Sequence, residues 1–268
     1  MKRLFVLLAA LLPLLGCGGS VSAALGAEAS PTPPETAVPL GTAAPTSVPS
    51  PEPTPEPLPD RDQPMVALTF DDGPTACTGR VLDLLERYGA RGTFFVIGSK
   101  LNESTRPLLQ RMADMGCDIG MHDLDHSDLT KLSAAANVKR IERMQVLISA
   151  QIDGGYEVRL LRPPFGALNK TVRRACKTAG VASIRWSVDT RDWSSKDPKA
   201  ILKIVQRDTK DGAILLFHDR LDATVAALET AIPWLQEQGY RLVTVTELIE
   251  SSGESIRYGE DYQRKPGR

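Results

Sequence analysis

Seven short apolar runs alternate with seven amphipathic stretches between residues 65 and 250, and this alternation restricts the chain to few architectures. The predicted strands cover residues 65–70, 93–97, 117–121, 158–161, 181–188, 213–217 and 241–245. The predicted helices cover residues 78–88, 107–115, 133–150, 170–179, 198–208, 222–238 and 247–250. Repeated strand–helix units favour a parallel sheet flanked by helices. Because the strands are almost continuously apolar, we predict an α/β fold in a single domain, a closed or nearly closed (β/α)7–8 TIM-like barrel.

The first 17 residues have the pattern of an export signal. Lys2 and Arg3 precede an apolar run over residues 4–15, which is too short for a membrane span of roughly 20 residues. The run ends in Leu-Leu-Gly-Cys at Cys17, which resembles a bacterial lipobox. We therefore expect residues 1–17 to be a lipoprotein-type signal peptide, with Cys17 carrying a lipid anchor on the outer face of the cytoplasmic membrane. Ordinary secretion or a retained signal anchor is the alternative.

Residues 18–62 are rich in Pro, Ser, Thr, Ala and Glu and have no hydrophobic period, so they predict a disordered tether. A polyproline II chain of this length extends on the order of 100 Å, at about 3.1 Å per residue. The folded, catalytic part is expected to cover residues 63–251. Residues 252–268 are expected to form a polar flexible tail.

The net charge of the chain argues against nucleic acid as a binding partner. The formal net charge is −1, which gives no basic surface for nucleic acid. We also expect the protein to be a monomer.

If Cys17 is lipidated, Cys77, Cys117 and Cys176 remain. They form either one disulfide and one free thiol or three buried thiols. No CxxC spacing supports a cysteine metal site.

Polar clusters follow five of the predicted strands. In a barrel of this kind the loops at the C-terminal ends of the strands build the active site. The clusters are Asp71 and Asp72 after the first strand, His122 and His126 after the third, residues 162–166 after the fourth, residues 189–193 after the fifth, and His218 with Asp219 after the sixth. All five are therefore expected on one face of the barrel.

A metal site is predicted from three of these residues. His122 and His126 are four residues apart, which on a helical turn places both imidazoles on one side. With Asp72 they form a set of two histidines and one carboxylate that leaves positions for water and substrate. Non-haem iron oxygenases use the same ligand set, usually on a different, all-β fold. For Asp71 and Asp72 alone, a solvated turn is the alternative.

The remaining polar residues suggest hydrolysis of an amide or ester. A metal lowers the pKa of bound water, and Asp71 lies beside a ligand as a general base. Arg162 would keep Asp71 ionised, unless it forms only a structural salt bridge. His218 is the candidate acid. Asp189 is expected to hold the His218 ring and favour its protonated form, with Asp192 as the competing candidate.

Taken in order, the five clusters resemble the motifs of the polysaccharide deacetylases, the NodB-type carbohydrate esterases of family four. The matching segments are residues 69–74, 122–126, 162–166, 189–193 and 216–218. The resemblance extends from about residue 64 to 250. It implies a distorted (β/α) barrel, a divalent metal that is usually zinc and sometimes cobalt or another ion, and removal of N-acetyl groups from amino sugars.

The resemblance also implies a role for each site residue. It makes Asp71 the base supported by Arg162, His218 the acid, and Asp72, His122 and His126 the metal ligands. The backbone N–H of Phe165 would help to hold the oxyanion. The residues expected to bind substrate are Phe165, Trp193, Leu216 and Pro163. For Trp193 and Leu216, simple core packing is the alternative to an acyl pocket.

Three positions depart from the family pattern. Asp123 and Ser127 stand where Ser or Thr and Pro are common, and Phe165 replaces a common Tyr. Asp123 and Asp125 add negative charge beside the predicted metal, which is expected to alter metal preference or the hold on substrate. No residue that the chemistry needs is missing, so an active enzyme is expected.

Together, the signal, the tether, the clusters and the family resemblance predict a metal-dependent deacetylase of cell-wall glycan, acting on N-acetylglucosamine in peptidoglycan, with zinc as the metal that the resemblance implies. Chitin oligomers, an exopolysaccharide and acetylxylan are alternative substrates. A non-catalytic, glycan-binding cell-wall lipoprotein is the alternative from another class of protein.

Overall fold

The computed structural model describes residues 63–267, so the predicted signal peptide and tether lie outside the described residues. The strands are β1 Met65–Gly73, β2 Thr93–Val96, β3 Asp118–Met121, β4 Leu160–Leu161, β5 Ala182–Ile184, β6 Val188–Asp189, β7 Ile214–His218, β8 Arg241–Val243 and β9 Asp261–Tyr262. The helices are α1 Ala76–Arg87, α2 Arg106–Asp114, α3 Ala134–Ser149, α4 Lys170–Thr178, α5 Asp192–Ser195, α6 Pro198–Asp208, α7 Asp222–Glu237 and α8 Val245–Glu250. Among the helices of residues 63–267, none has the combination of length and apolar sequence that a membrane span needs.

All named strands pair in parallel in one curled sheet. Its order is β6-β7-β1-β2-β3-β4-β5-β9, and β8 pairs with the first residues of β1. The helices pack around this sheet, so the predicted distorted (β/α) barrel is confirmed. Because β1 lies near the middle of the sheet, residues at its C-terminal end are surrounded by neighbouring strand ends.

The predicted strand over residues 181–188 is divided into β5 and β6. Arg162 donates its Nε–H to the carbonyl oxygen of Ile184 and its Nη2–H to that of Arg185, at 3.2 and 2.9 Å. These carbonyl groups therefore bind a guanidinium instead of extending a strand ladder. The chain then joins β7, where the N–H of Ser187 donates to the carbonyl oxygen of Ile214 at 3.0 Å.

Alternating residues of β1 enter two separate hydrophobic cores. Val66, Leu68 and Phe70 belong to the larger core between the sheet and the helices. Met65 and Ala67 belong to a smaller core inside the curled sheet, together with apolar residues of α8. Both sides of β1 are therefore buried, which explains why the sequence of this strand is almost continuously apolar.

The same alternation places polar side chains inside the curled sheet, near the C-terminal end of β1. Thr69 and Asp71 follow Met65 and Ala67 on the inner side, since side chains two residues apart in a strand share a face. Both accept a hydrogen bond from Nη1 of Arg162, at 2.7 and 2.8 Å. The interior therefore changes from apolar to charged along a single strand.

The prediction of a loose C-terminal tail is wrong for residues 261–265. β9 pairs with β5, matching Asp261 to Ser183 and Tyr262 to Ile184. Arg185 donates its Nε–H to the Asp261 carboxylate at 3.1 Å, and Tyr262 is buried. A two-residue strand has no periodic signal of its own, so only the free edge of β5 determines that it forms.

This packing predicts that Tyr262→Ala lowers the free energy of unfolding by about 3 kcal/mol, as for other buried aromatic residues. Tyr262 is 6% exposed, whereas Tyr258 in the same segment is 43% exposed. Tyr258→Ala is therefore the matched control, with an expected change within about 0.5 kcal/mol. Urea unfolding measures both changes. Equal small effects would mean that the segment does not pack on the sheet in solution.

The three cysteines of the barrel are free and buried, which corresponds to the alternative of three thiols. Burial raises the pKa of Cys117 to about 11 and that of Cys176 to about 12. Both thiols therefore stay protonated at neutral pH and have the character of small apolar core residues.

Candidate active site

A cavity of about 480 Å³ opens at the C-terminal ends of the strands. Its walls contain nearly all the residues that the sequence suggested for a site. The lining residues are Asp71, Asp72, His122, His126, Phe165, Trp186, Asp189, Trp193, Leu216, His218 and Arg220. Five separate chain segments therefore meet in one pocket, as the strand-end argument predicted.

Asp72, His122 and His126 form a group that fits a metal ion. One ligand atom from each lies within 4.8 Å of the others. Asp72 Oδ1 is 3.7 Å from Nε2 of His122 and 3.5 Å from Nε2 of His126. This oxygen is buried and accepts no hydrogen bond in the described part of the chain. Because an unpaired buried carboxylate oxygen is strongly unfavourable, the geometry fits a bound cation at this point.

The tautomer of His122 suits metal binding. Its Nδ1 lies 2.7 Å from the carbonyl oxygen of Arg162, which can only accept a hydrogen bond. The proton is therefore on Nδ1, and the lone pair of Nε2 points towards Asp72. Burial lowers the pKa of His122, which favours the neutral imidazole that metals bind.

The two histidines do not share a helical turn, and that part of the prediction is wrong. His122 directly follows β3, and His126 is reached through a loop in which Asp123 and His126 have φ of 67° and 65°. These left-handed conformations turn the chain back on itself. The His126 ring then meets the rings of His122 and Phe165 edge to face, with centroids 4.9 and 4.6 Å away.

Asp72 is held by two cations that the sequence analysis did not identify. Arg220 donates its Nε–H to Asp72 Oδ2 at 2.7 Å, and Lys100 donates from Nζ to the Asp72 carbonyl oxygen at 2.6 Å. Burial acts to raise the pKa of Asp72, but the Arg220 hydrogen bond and the nearby histidines outweigh it and lower the pKa overall. The carboxylate therefore stays ionised, with Oδ1 left for a cation. Arg220 could have been found from its place directly after the His218 cluster.

Asp71 is held by Arg162, as predicted. Arg162 is fully buried, and its Nη1 donates to Asp71 Oδ1 at 2.8 Å. Its guanidinium also lies over the Phe95 ring, 4.2 Å from the centroid. The other oxygen of Asp71, Oδ2, is 3.6 Å from Nε2 of His122 and lies beside the metal group. Arg162 thus fixes the carboxylate at the edge of the cavity.

The structure corrects the partner of His218. Asp192, and not Asp189, contacts the ring: its Oδ1 is 2.7 Å from His218 Nδ1. Oδ2 of Asp192 accepts the backbone N–H of His218 at 2.7 Å and the hydroxyl of Thr224 at 2.6 Å. Asp189 instead accepts the backbone N–H of Arg191 at 2.9 Å and lines the cavity.

Asp192 reaches His218 and Asp189 does not because the chain turns between these two aspartates. Asp189 ends β6, whereas Arg191 has φ of 54° and redirects the chain into α5, which begins at Asp192. This four-residue helix has no periodic signal in the sequence. Burial acts to lower the pKa of His218, but the Asp192 carboxylate outweighs it, so the pKa of His218 is raised. The ring is therefore more readily protonated than an ordinary histidine.

The glycine that follows Asp72 has a steric role. A Cβ at Gly73 would lie 2.4 Å from Oδ2 of Asp219. Asp219 is buried, and burial raises its pKa to about 7. Any side chain at position 73 would push this carboxyl group away from the turn that presents Asp71 and Asp72.

Most of the predicted substrate-binding residues line the cavity, but Pro163 does not. Phe165 and Trp193 are 69% and 49% exposed at its mouth, and Leu216 is buried in its wall. Pro163 is buried outside the cavity lining, and its carbonyl oxygen accepts the N–H of Gly166 at 3.0 Å. It therefore shapes the turn that carries Phe165.

Trp186 is a lining residue that the sequence analysis missed, because it was placed inside the predicted fifth strand. Its ring covers Gly166, where a Cβ would lie 2.9 Å from the indole. It also lies 5.6 Å from the Arg162 guanidinium. Trp186 therefore forms the wall between the buried arginine and the cavity.

Comparison with known proteins agrees with this fold. A family profile described as polysaccharide deacetylase matches residues 59–184. Peptidoglycan-N-acetylglucosamine deacetylase PgdA of Listeria monocytogenes is 39% identical over 198 residues, which are 74% of this chain and 41% of that protein. A peptidoglycan-N-acetylglucosamine deacetylase of Bacillus cereus is 36% identical over 194 residues, covering 70% of this chain and 89% of that protein.

A solved structure is similar as well. A family 4 acetyl xylan esterase from Clostridium thermocellum, in complex with a cobalt ion, has a TM-score of 0.70 and 31% identity, covering 76% of this chain and all of that one. The chain belongs to the polysaccharide deacetylase family. It spans about two fifths of the length of the Listeria relative.

Proposed function

We propose that the chain is a metal-dependent deacetylase that removes N-acetyl groups from N-acetylglucosamine in peptidoglycan. The observation that carries this proposal is the pairing of two carboxylates with different partners at one edge of the cavity. Asp72 Oδ1 is buried beside two imidazoles without a hydrogen-bond partner, and Asp71 next to it is fixed by a buried arginine.

The cofactor we propose is a divalent ion held by Asp72, His122 and His126, with zinc first and cobalt as the alternative. Two imidazoles and one carboxylate suit zinc, and three protein ligands leave room for water and substrate. When bound, such an ion polarises a carbonyl group and lowers the pKa of water. The cobalt ion in the similar esterase structure supports a site of this kind.

Proton transfer would be divided between Asp71 and His218. Asp71, held in place by Arg162, takes the proton of the attacking water. His218 donates a proton to the departing amine, because Asp192 occupies its Nδ1 and leaves Nε2 as the donor that faces the cavity. The N–H of Phe165 would stabilise the oxyanion.

The pocket walls suit an acetylated sugar. Leu216 and Trp193 offer apolar surface for the acetyl methyl group, and the exposed faces of Phe165 and Trp193 offer surfaces for sugar rings. The names of the Listeria and Bacillus relatives support peptidoglycan as the polymer. The acetyl xylan esterase supports acetylxylan as the second candidate.

We also propose that the protein is an exported lipoprotein. Residues 1–17 would provide the lipid anchor, and residues 18–62 would extend the barrel into the cell wall. This location would place the enzyme next to its proposed polymer. Labelling with radioactive palmitate, compared between the unsubstituted chain and Cys17→Ser, tests the anchor.

Acetate release tests the activity. Zinc-loaded protein is incubated with peptidoglycan, chitin oligomers and acetylxylan, and acetate is measured enzymatically. We expect the fastest release from peptidoglycan, and a chelator should remove it until zinc or cobalt is restored. Release from acetylxylan alone would support the proposed deacetylation but show that acetylxylan, and not peptidoglycan, is the substrate. Binding to glycan without release from any substrate would favour the non-catalytic alternative.

A further inference from the structure

The loop that carries His126 is organised by one buried side chain, Asp123. Its carboxylate is 1% exposed. Oδ2 accepts the backbone N–H of Ser127 at 2.8 Å and that of Asp125 at 3.4 Å. Asp123 and His126 both have left-handed backbone conformations, which are unfavourable for residues other than glycine. The loop therefore keeps its shape through contacts that hold these residues in place.

Arg140 of α3 completes the arrangement. Its Nε and Nη2 donate to the two oxygens of Asp123 at 2.7 and 2.9 Å, and Nη2 also donates to the Asp125 carboxylate. A two-point contact between a planar guanidinium and a carboxylate fixes orientation as well as distance. The guanidinium thus attaches the loop to a helix that lies outside the cavity lining.

His126 depends on this loop for its position. Its side chain is 31% exposed, and no hydrogen bond within residues 63–267 orients its imidazole. The ring contacts are the edge-to-face ones with His122 and Phe165. The location of Nε2, 3.5 Å from Asp72 Oδ1, is therefore set mainly by the backbone that Asp123 and Arg140 hold.

We propose that Asp123 and Arg140 form a clamp that positions His126 and thereby sets the metal affinity of the site. Both are positioning residues, since neither lines the cavity. This inference rests on the metal site proposed above. It competes with the expectation that Asp123 and Asp125 act on the metal through their negative charge, since Arg140 contacts both carboxylates.

The clamp and the direct charge effect predict opposite signs for one variant. If Asp123 acted through its charge, Arg140→Met would expose that charge to the metal and tighten binding, whereas Asp123→Asn would weaken it. If the pair is a clamp, both substitutions weaken zinc binding, on the order of 10- to 100-fold, the usual effect of losing an outer partner of a metal ligand. Arg143→Met on the same helix, at an exposed residue, is the matched control and should not change it.

Zinc dissociation constants are measured on the purified protein by competition with a chromophoric chelator. The double variant Asp123→Asn/Arg140→Met should bind no more weakly than the weaker single variant, since both residues act as a unit. In the cobalt-loaded protein, the visible absorption of Arg140→Met should shift towards that of His126→Ala, which reports loss of this ligand.

Folding is checked by circular dichroism of the metal-free variants. If Arg140→Met does not fold, Arg140→Lys decides, because it keeps the charge but cannot make the two-point contact. Unchanged or tighter zinc binding by the folded variant would overturn the clamp while leaving the proposed function intact. Absence of zinc binding by the unsubstituted chain would overturn the metal site and the clamp together.

Discussion

Asp71→Asn is expected to lower the rate of acetate release by roughly 10²- to 10⁴-fold, the range for losing a general base. Zinc affinity should stay within a few-fold of that of the unsubstituted protein. The amide oxygen can still accept the hydrogen bond that Arg162 makes to Asp71 Oδ1 at 2.8 Å. The variant therefore keeps the shape of the site but lacks an oxygen that can take a proton.

Asp72→Asn is the comparison that separates base from ligand. Asp72 provides the unpaired buried oxygen of the metal group, so its substitution should reduce zinc affinity and acetate release together. Measuring both quantities for both variants gives two distinct patterns. If Asp71→Asn lost zinc and activity in proportion, Asp71 would be a ligand and the assignment of the base would be wrong.

Asp192→Asn is expected to lower kcat by roughly 10²- to 10⁴-fold, as when the carboxylate that orients a catalytic histidine is lost. Asp192 is fully buried and contacts both Nδ1 and the backbone N–H of His218. The amide that replaces it carries no charge to stabilise the protonated ring.

The dependence of activity on pH should also change in a defined direction in Asp192→Asn. His218 must be protonated to donate, so activity falls as the pH rises through its pKa, which lies above the ordinary histidine value. Removing the Asp192 carboxylate lowers that pKa, and the alkaline limb of the profile should move to lower pH.

Asp189→Asn is the matched control, because Asp189 also lines the cavity but accepts a hydrogen bond from the backbone of Arg191. Its effect on kcat should be no more than a few-fold, with the alkaline limb unmoved. A larger loss and a larger pH shift in Asp189→Asn than in Asp192→Asn would contradict the pairing seen in the structure. Thermal unfolding of both variants separates catalytic effects from loss of folded protein.

Local sequence patterns were sufficient for the barrel and for most of the site. The apolar runs that became β1 and β7 end at Asp71 and His218, and parallel strands bring their C-terminal ends to one edge. That is why the sequence alone groups Asp72, His122 and His126. The buried partner of Asp71 was likewise predicted, because Arg162 directly follows a strand.

The sequence by itself determined which strand ends carry the chemistry, because strand length and alternation are properties of neighbouring residues. Only the tertiary structure decided three other contacts: that of Asp192, and not Asp189, with His218, that of Arg220 with Asp72, and that of Arg140 with Asp123. These contacts depend on left-handed turns and on residues 17 to 148 positions apart. Periodic patterns in the sequence do not predict contacts between residues so far apart in the chain, because these contacts form only when the folded sheet and helices bring remote segments together.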